Sequence, residues 1–135
     1  MAEKIFLEIV TPQRVVLEEE ADIVILPGSM GEFGVQLGHI PFLSSLYPGE
    51  LRYKNGSYTR YLAVSSGFAE VFRDRVSVLV NAAEKKEEIE IERARAAIER
   101  AKKRLENKQV EDIDFDRAEA ALKRALARLK VAERS

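Results

Sequence analysis

The single histidine of this chain, His39, stands in the run Met30-Gly31-Glu32-Phe33-Gly34-Val35-Gln36-Leu37-Gly38-His39-Ile40-Pro41, with Gly28 just before it. A glycine-rich loop beside an imidazole is where a phosphate cradle or a general base would be sought. The spacing Gly28-x-x-Gly31-x-x-Gly34 is followed by no Gly-Lys-Ser/Thr and by no helical pattern, so it lacks the parts of a phosphate loop. His39 has no paired base or nucleophile near it in sequence. The loop therefore reads as turn-rich and structural, with glycines at special backbone angles. Carboxylate pairs occur at Glu87-Glu88 and at Asp112/Asp114, but at predicted helix starts, where capping accounts for them. No Ser-His-Asp set is legible, and the chain is expected to do no chemistry by itself.

Composition narrows the field further. The 135 residues are enough for one ordinary domain or two small ones, and 46% hydrophobic with 33% charged fits a globular fold. A net charge of −1 argues against a dominant electrostatic attraction to nucleic acid. With no cysteine there is no disulfide and no thiolate metal site, and a single histidine makes a zinc centre improbable. The start, MAEKIFLEIV, is acidic where a signal peptide is basic, and no run approaches the ~20 apolar residues of a membrane helix. A membrane would be reached only through a partner.

Two halves differ in physics. All seven glycines and all four prolines precede residue 68, and Phe115 is the only aromatic beyond residue 84. The composition changes near Asn81–Glu88, which divides the chain into residues 1–84 and residues 85–135. The first part reads as short strands: Ile5–Val10, Asp22–Leu26, a hairpin of Leu51–Lys54 with Tyr58–Tyr61 around Asn55-Gly56, and Gly67–Phe72 paired with Val76–Val80 across Arg73-Asp74. Asn-Gly predicts a tight primed turn with positive φ at both central residues. Closely spaced short strands predict a sandwich or flattened barrel.

The second part reads as two helices. Ile91, Ala94, Ile98, Ala101 and Leu105 form one seam, and Phe115, Ala118, Leu122, Ala125, Leu129 and Ala132 the other. The break falls at Asn107-Lys108-Gln109-Val110, with Asp112 or Asp114 as candidate caps and Glu111 and Asp116 near the positive helix end. A short connection makes the helices an antiparallel hairpin, so the fold class is α+β. Every second seam residue is alanine. The six large ones, if fully buried, contribute roughly 9–18 kcal/mol. Ordering the segment opposes this at about 1–2 kcal/mol per residue. The hairpin is therefore expected to need docking, on its own β-domain, a ligand or another protein, and a detachable element can act as a switch.

The pieces Gly31-Glu32-Phe33-Gly34-Val35, Gly38-His39-Ile40-Pro41, Pro48-Gly49 and the run Arg117 to Glu133 together resemble the epsilon subunit of bacterial F-type ATP synthases, over essentially the whole chain. The resemblance implies a non-catalytic central-stalk subunit, peripheral at the cytoplasmic face of the bacterial membrane. Its implied partners are the gamma subunit, the c-ring and the catalytic beta subunits. It also implies that an extended hairpin restrains ATP hydrolysis. The glycine-rich loop would lie near gamma and the ring, with Glu32 facing the ring and His39 stabilising the loop. Arg117, Lys123 and Lys130 belong to a basic second helix that would meet an acidic segment of beta. Residues 85–135 carry 15 Lys+Arg against 12 Asp+Glu, and residues 1–84 carry 7 against 11.

ATP-binding members of that family carry I/L-D-x-x-R-A where this chain has Ile89-Glu90-Ile91-Glu92-Arg93-Ala94, with glutamate replacing aspartate. The remaining matched positions are Glu84, Arg100, Arg124 and Arg128. Glu90 and Arg93 lie one helical turn apart, as do Arg124 and Arg128, and converging guanidinium groups suit phosphate oxygens. Read from charge pattern alone, the same residues are solvated i,i+4 pairs. No cofactor is required on this reading, and regulatory ATP is the one candidate ligand. Two other readings stay open: a free-standing nucleotide sensor, and a small nucleic-acid adaptor using the basic hairpin. The acidic first half weighs against the latter.

Overall fold

In the computed structural model, which describes residues 3–107 and 112–134 (backbone only at 112 and 113), strands fill the first part of the chain and helices the second. The strands are β1 (Ile5–Val10), β2 (Val15–Ala21), β3 (Ile23–Gly28), β4 (Gly31–Gln36), β5 (Phe42–Leu46), β6 (Gly49–Asn55), β7 (Tyr58–Val64), β8 (Gly67–Phe72), β9 (Arg75–Val80) and β10 (Ala83–Lys85). A 3-10 turn at Lys86–Glu88 leads into α1 (Ile91–Glu106) and α2 (Asp112–Ala132). The sheet order is β10-β7-β6-β3-β5-β8-β9-β1-β2, with β4 on β3. All pairs are antiparallel except β1 with β9. The result is a β-sandwich, or nearly closed barrel, followed by a helical hairpin.

Alternation builds the core. On β1, Ile5, Leu7 and Ile9 are fully buried, and Leu26, Leu46, Leu51, Leu62, Val76 and Val78 join them from the facing strands. The hydroxyl of Tyr53 on β6 donates to Glu19 Oε2 on β2 at 2.7 Å, and Tyr58 donates to Glu19 Oε1, so β2 is held against β6 and β7 without a ladder.

Several elements differ from what the sequence predicts. The glycine-rich stretch is a hairpin rather than an irregular loop, with β4 paired to β3 from Ile23↔Gln36 to Gly28↔Gly31. Two glycines and a glutamate hide a strand from propensity, but the ladder forms because Val35 faces the core. In β2 three consecutive glutamates mask the alternation that turns Leu17, Glu19 and Ala21 inward, and a register shift opposite Ile9 and Val10 lets Val16 be buried as well. The Asn55-Gly56 turn is shifted by one residue: Asn55 pairs with Tyr58, so Gly56 and Ser57 are central, and only Gly56 has positive φ (62°). Positive φ at both central residues occurs instead at Arg73 (49°) and Asp74 (59°), between the paired Phe72 and Arg75. That turn survives without glycine because its polar groups are used. Asp74 Oδ1 accepts from the Gly38 backbone N–H at 2.8 Å, and Asp74 O accepts from Phe6 N–H at 2.9 Å.

α1 and α2 pack against each other, and α2 lies on β6 and β7. Along the expected seams the small residues are the buried ones: Ala94, Ala101, Ala118 and Ala125, with Ile98. Ile91 and Phe115 are exposed at opposite ends of the hairpin. A second buried stripe, Ala127 and Val131, faces the sheet. α2 begins at Asp112, so Asp114 lies inside the first turn rather than at its cap. Residues 108–111 and the Asp112 side chain, where the helix break and the alternative cap were expected, lie outside the described residues.

Candidate functional site

Docking α2 on the sheet leaves a polar groove of about 340 Å³ where α1 begins, lined by Glu84, Glu88, Ile89, Glu90, Arg93, Ala94, Ala97, Arg100 and Arg128. Arg124 lines an adjoining small recess together with Glu84 and Arg128. The eight residues matched from sequence thus come from β10, the approach to α1, and both helices; seven of them line this groove and Arg124 the recess beside it. Small residues on α1, Ala94 and Ala97, give it room. Arg128 Nε donates to Glu84 Oε1, which ties α2 to the edge strand β10 and aims the guanidinium at the groove. Three guanidinium groups, Arg93, Arg100 and Arg128, therefore stand among three carboxylates in the groove, an arrangement suited to a polyanion.

Glu90 is the residue preceding α1, with φ −92° and ψ 115°, and its side chain makes no cap hydrogen bond. A shorter aspartate is the preferred residue at such a position. The longer glutamate leaves its carboxylate uncommitted at the groove mouth. Glu88 is fixed on the opposite wall. The Lys85 backbone N–H donates to it at 3.0 Å, and Arg14 of the β1–β2 turn pairs with it at 3.0 Å. These contacts hold its carboxyl below the usual glutamate range against the opposing desolvation.

The expected partner-contact residues are spread over a second region. Glu32 on β4 is exposed but engaged, receiving Arg52 Nη1 and Nη2 at 2.9 and 3.0 Å. That fork holds the Glu32 carboxyl below its ordinary value, against a smaller opposing effect of desolvation. His39 Nδ1 lies 2.7 Å from Ile40 O, its ring meets Phe42 edge-on at 6.0 Å, and its backbone N–H donates to Gln36 O at 3.1 Å. These are contacts that shape a loop. Arg117 and Lys130 are exposed on α2, and Lys123 reaches over the Tyr47 ring at 5.7 Å.

Residues 4–86 match the family described as ATP synthase, Delta/Epsilon chain, beta-sandwich domain, and residues 87–133 match its long alpha-helix domain. The chain belongs to the ATP synthase delta/epsilon chain family. Among curated relatives, it is 56% identical over 108 residues to the ATP synthase epsilon chain of Desulfosudis oleivorans, covering 79% of this chain and 81% of that one. It is 57% identical over 105 residues to the epsilon chain of Syntrophobacter fumaroxidans, covering 78% of each. Among solved structures it resembles a chain of the Euglena gracilis mitochondrial ATP synthase OSCP/F1/c-ring assembly, with TM-score 0.84 and 25% identity over 99% of this chain and 84% of that chain. A chain of the Tetrahymena thermophila mitochondrial ATP synthase central stalk/c-ring shares the fold, with TM-score 0.64 and 14% identity over 96% of this chain and 97% of that one.

Two features of this delta/epsilon chain escape reading by sequence. The first is an apolar groove of about 640 Å³ at one end of the barrel, with Val10, Pro12, Tyr47, Phe68 and Leu79 in its walls. Phe68 and Leu79 are cross-strand partners and both are more than half exposed. Their signal was available: each is a large apolar residue on the solvent side of an alternating strand. Gly67 makes the junction possible, since a Cβ there would stand 2.0 Å from Leu79 O. The second feature is the buried carboxylate of Glu50, joined to Arg134 across 84 positions of sequence, a pairing no local pattern announces.

Proposed function

We propose that the chain is the non-catalytic central-stalk subunit of a rotary proton-translocating ATP synthase, joining gamma to the c-ring, with a C-terminal hairpin that binds ATP when docked and restrains ATP hydrolysis when released toward the beta subunits. Family membership supports the stalk role. The apolar groove at Phe68 and Leu79, at the end of β5, β8 and β9 away from His39, supports a protein partner there, because exposed apolar patches of that kind mark interaction surfaces. The complex would be peripheral at the cytoplasmic face of a bacterial membrane. No helix among the described residues is long and apolar enough to cross one, so attachment would run through partners.

The observation that carries the regulatory part is the polar groove closed by α2, with Arg93, Arg100 and Arg128 on its walls. Its volume lies within the range of small-molecule sites, while its polar lining suits a phosphate chain better than an apolar ligand. Bound ATP would bridge α1 and α2 to β10 and so favour the docked state by mass action. Calorimetric titration of the full chain with ATP tests this. Saturable binding is expected, weakened at least tenfold in Arg128→Ala, which removes one charge-assisted contact. No heat and no rise in melting temperature at millimolar ATP would refute it.

A further inference from the structure

The end of the chain is tied to the barrel by a second device, away from the nucleotide groove and independent of it. Just past α2, Arg134 donates from Nε to Glu50 Oε2 at 2.8 Å and from Nη2 to Glu50 Oε1 at 2.7 Å, while its guanidinium lies over the Tyr61 ring of β7 at 5.0 Å. The Glu50 side chain is 1% exposed. Two residues further along β6, Arg52 is shared: its Nη1 lies 3.4 Å from Glu50 Oε1, yet both its Nη atoms bond Glu32 at 2.9 and 3.0 Å. The four side chains form a row of alternating charge, Glu32–Arg52–Glu50–Arg134, running from an exposed face of β4 to the C-terminal end of α2.

We infer that Arg134 is the latch of the docked hairpin and that Arg52 couples this latch to Glu32: with Arg134 on Glu50, Arg52 is left to Glu32, and when Arg134 departs, Glu50 draws Arg52 away and frees Glu32. The physical reason is the difference in hydration. Glu32 is 48% exposed, so water solvates it once its partner leaves. Glu50 sits at the base of the surface that α2 covers, where an unpaired charge is costly, and its nearest remaining cation is Arg52. The coupling is reciprocal. A cationic group of a partner that engages Glu32 releases Arg52 to Glu50, and so loosens the hold of Arg134. Docking of the hairpin and the free charge on the β4 face are thereby two readings of one arrangement.

The test uses the full chain without nucleotide. Hydrogen exchange of α2 amides from Ala118 to Ala132 should quicken about tenfold in Arg134→Gln, with β1 and β9 amides unchanged, and Arg134→Lys should fall between. The Glu32 carboxyl is then titrated by carbon NMR; the cations facing it are Arg52 from β6 and Lys130 and Arg134 from the α2 end. In Arg134→Gln its midpoint should move up toward the ordinary glutamate value. Adding Glu50→Gln to that variant removes the competitor for Arg52 and should bring the Glu32 midpoint back down. Unchanged α2 exchange in Arg134→Gln would overturn the latch. A Glu32 midpoint that rises in the single variant and does not return in the double one would overturn the coupling.

Discussion

The barrel and the hairpin bury different things. Inside the barrel, Ile5, Leu7, Ile9, Leu26, Leu46, Leu51 and Leu62 have 1% of their surface or less in contact with water. In the hairpin the corresponding places belong to Ala94, Ala101, Ala118, Ala125 and Ala127, and the large buried residues are Ile98 and Val131. Alanine lets two helices come close but removes little apolar area from water. The hairpin instead relies on polar ties to the barrel: Arg128 to Glu84, Arg14 to Glu88, and Arg134 to Glu50. One region is held by area, which no partner can undo. The other is held by charges, which a ligand or a partner can replace.

The sharpest way to break this contrast is to remove equal chemistry from each region. Leu7→Ala should lower the stability of the whole chain by ~2–5 kcal/mol, seen as a lower denaturant midpoint for strands and helices together. Val131→Ala, equally buried at the α2–sheet contact, should cost about 1–2 kcal/mol and act locally. Its α2 amides should exchange faster while the barrel midpoint stays put. If Val131→Ala lowers the barrel midpoint as Leu7→Ala does, the two regions are one cooperative unit.

Acid should next separate area from charge. In the barrel, desolvation of Glu19 is the largest single influence and acts upward, but hydrogen bonds from Tyr53 and Tyr58, with Arg60 and Asn55, together outweigh it and lower Glu19 from its ordinary value. Asp22 is lowered chiefly by the Gly56 backbone N–H. Glu32 on β4, through Arg52, and Glu88 before α1 are lowered as well. A depressed carboxyl contributes stability that is full above its unfolded value and lost as pH falls through its folded one. Melting temperature should therefore be level near neutrality and fall below pH 4.5, the ordinary glutamate value. Glu19→Gln should flatten the barrel's share of that fall. A steeper fall in Glu19→Gln would remove Glu19 from the account. Smallest of all, Arg73→Gly should raise the barrel midpoint by about 1 kcal/mol or less, since glycine adopts the positive φ of this turn without a Cβ clash. A lowered midpoint would mean that the Arg73 side chain contributes more than its backbone strain costs.

Much of this was legible in one dimension. β-rich and apolar runs marked β1 and β3, the Asn-Gly signal marked β6 and β7, paired runs around Arg73-Asp74 marked β8 and β9, and the 3,4 spacing marked both helices, because a strand or a helix is defined by neighbours in sequence. β2 and β4 were not legible: their glutamates and glycines oppose the strand, and only the ladders to β1 and β3 stabilise it. The groove residues could be named by matching a pattern. That Glu84 on β10 meets Arg128 on α2 depended on how the hairpin docks.

The sequence by itself determined the two physical regimes, an aromatic and β-branched half that must close on itself and an alanine-rich half that can bury little. It determined the absence of cysteine chemistry in the same way, since both are properties of composition and spacing. Tertiary structure alone decided which charges are spent on one another. Arg52 chooses Glu32, Arg134 takes Glu50, and Phe68 stands beside Leu79 in the open, because side chains far apart in sequence acquire partners only once the backbone has fixed their distance and their access to water.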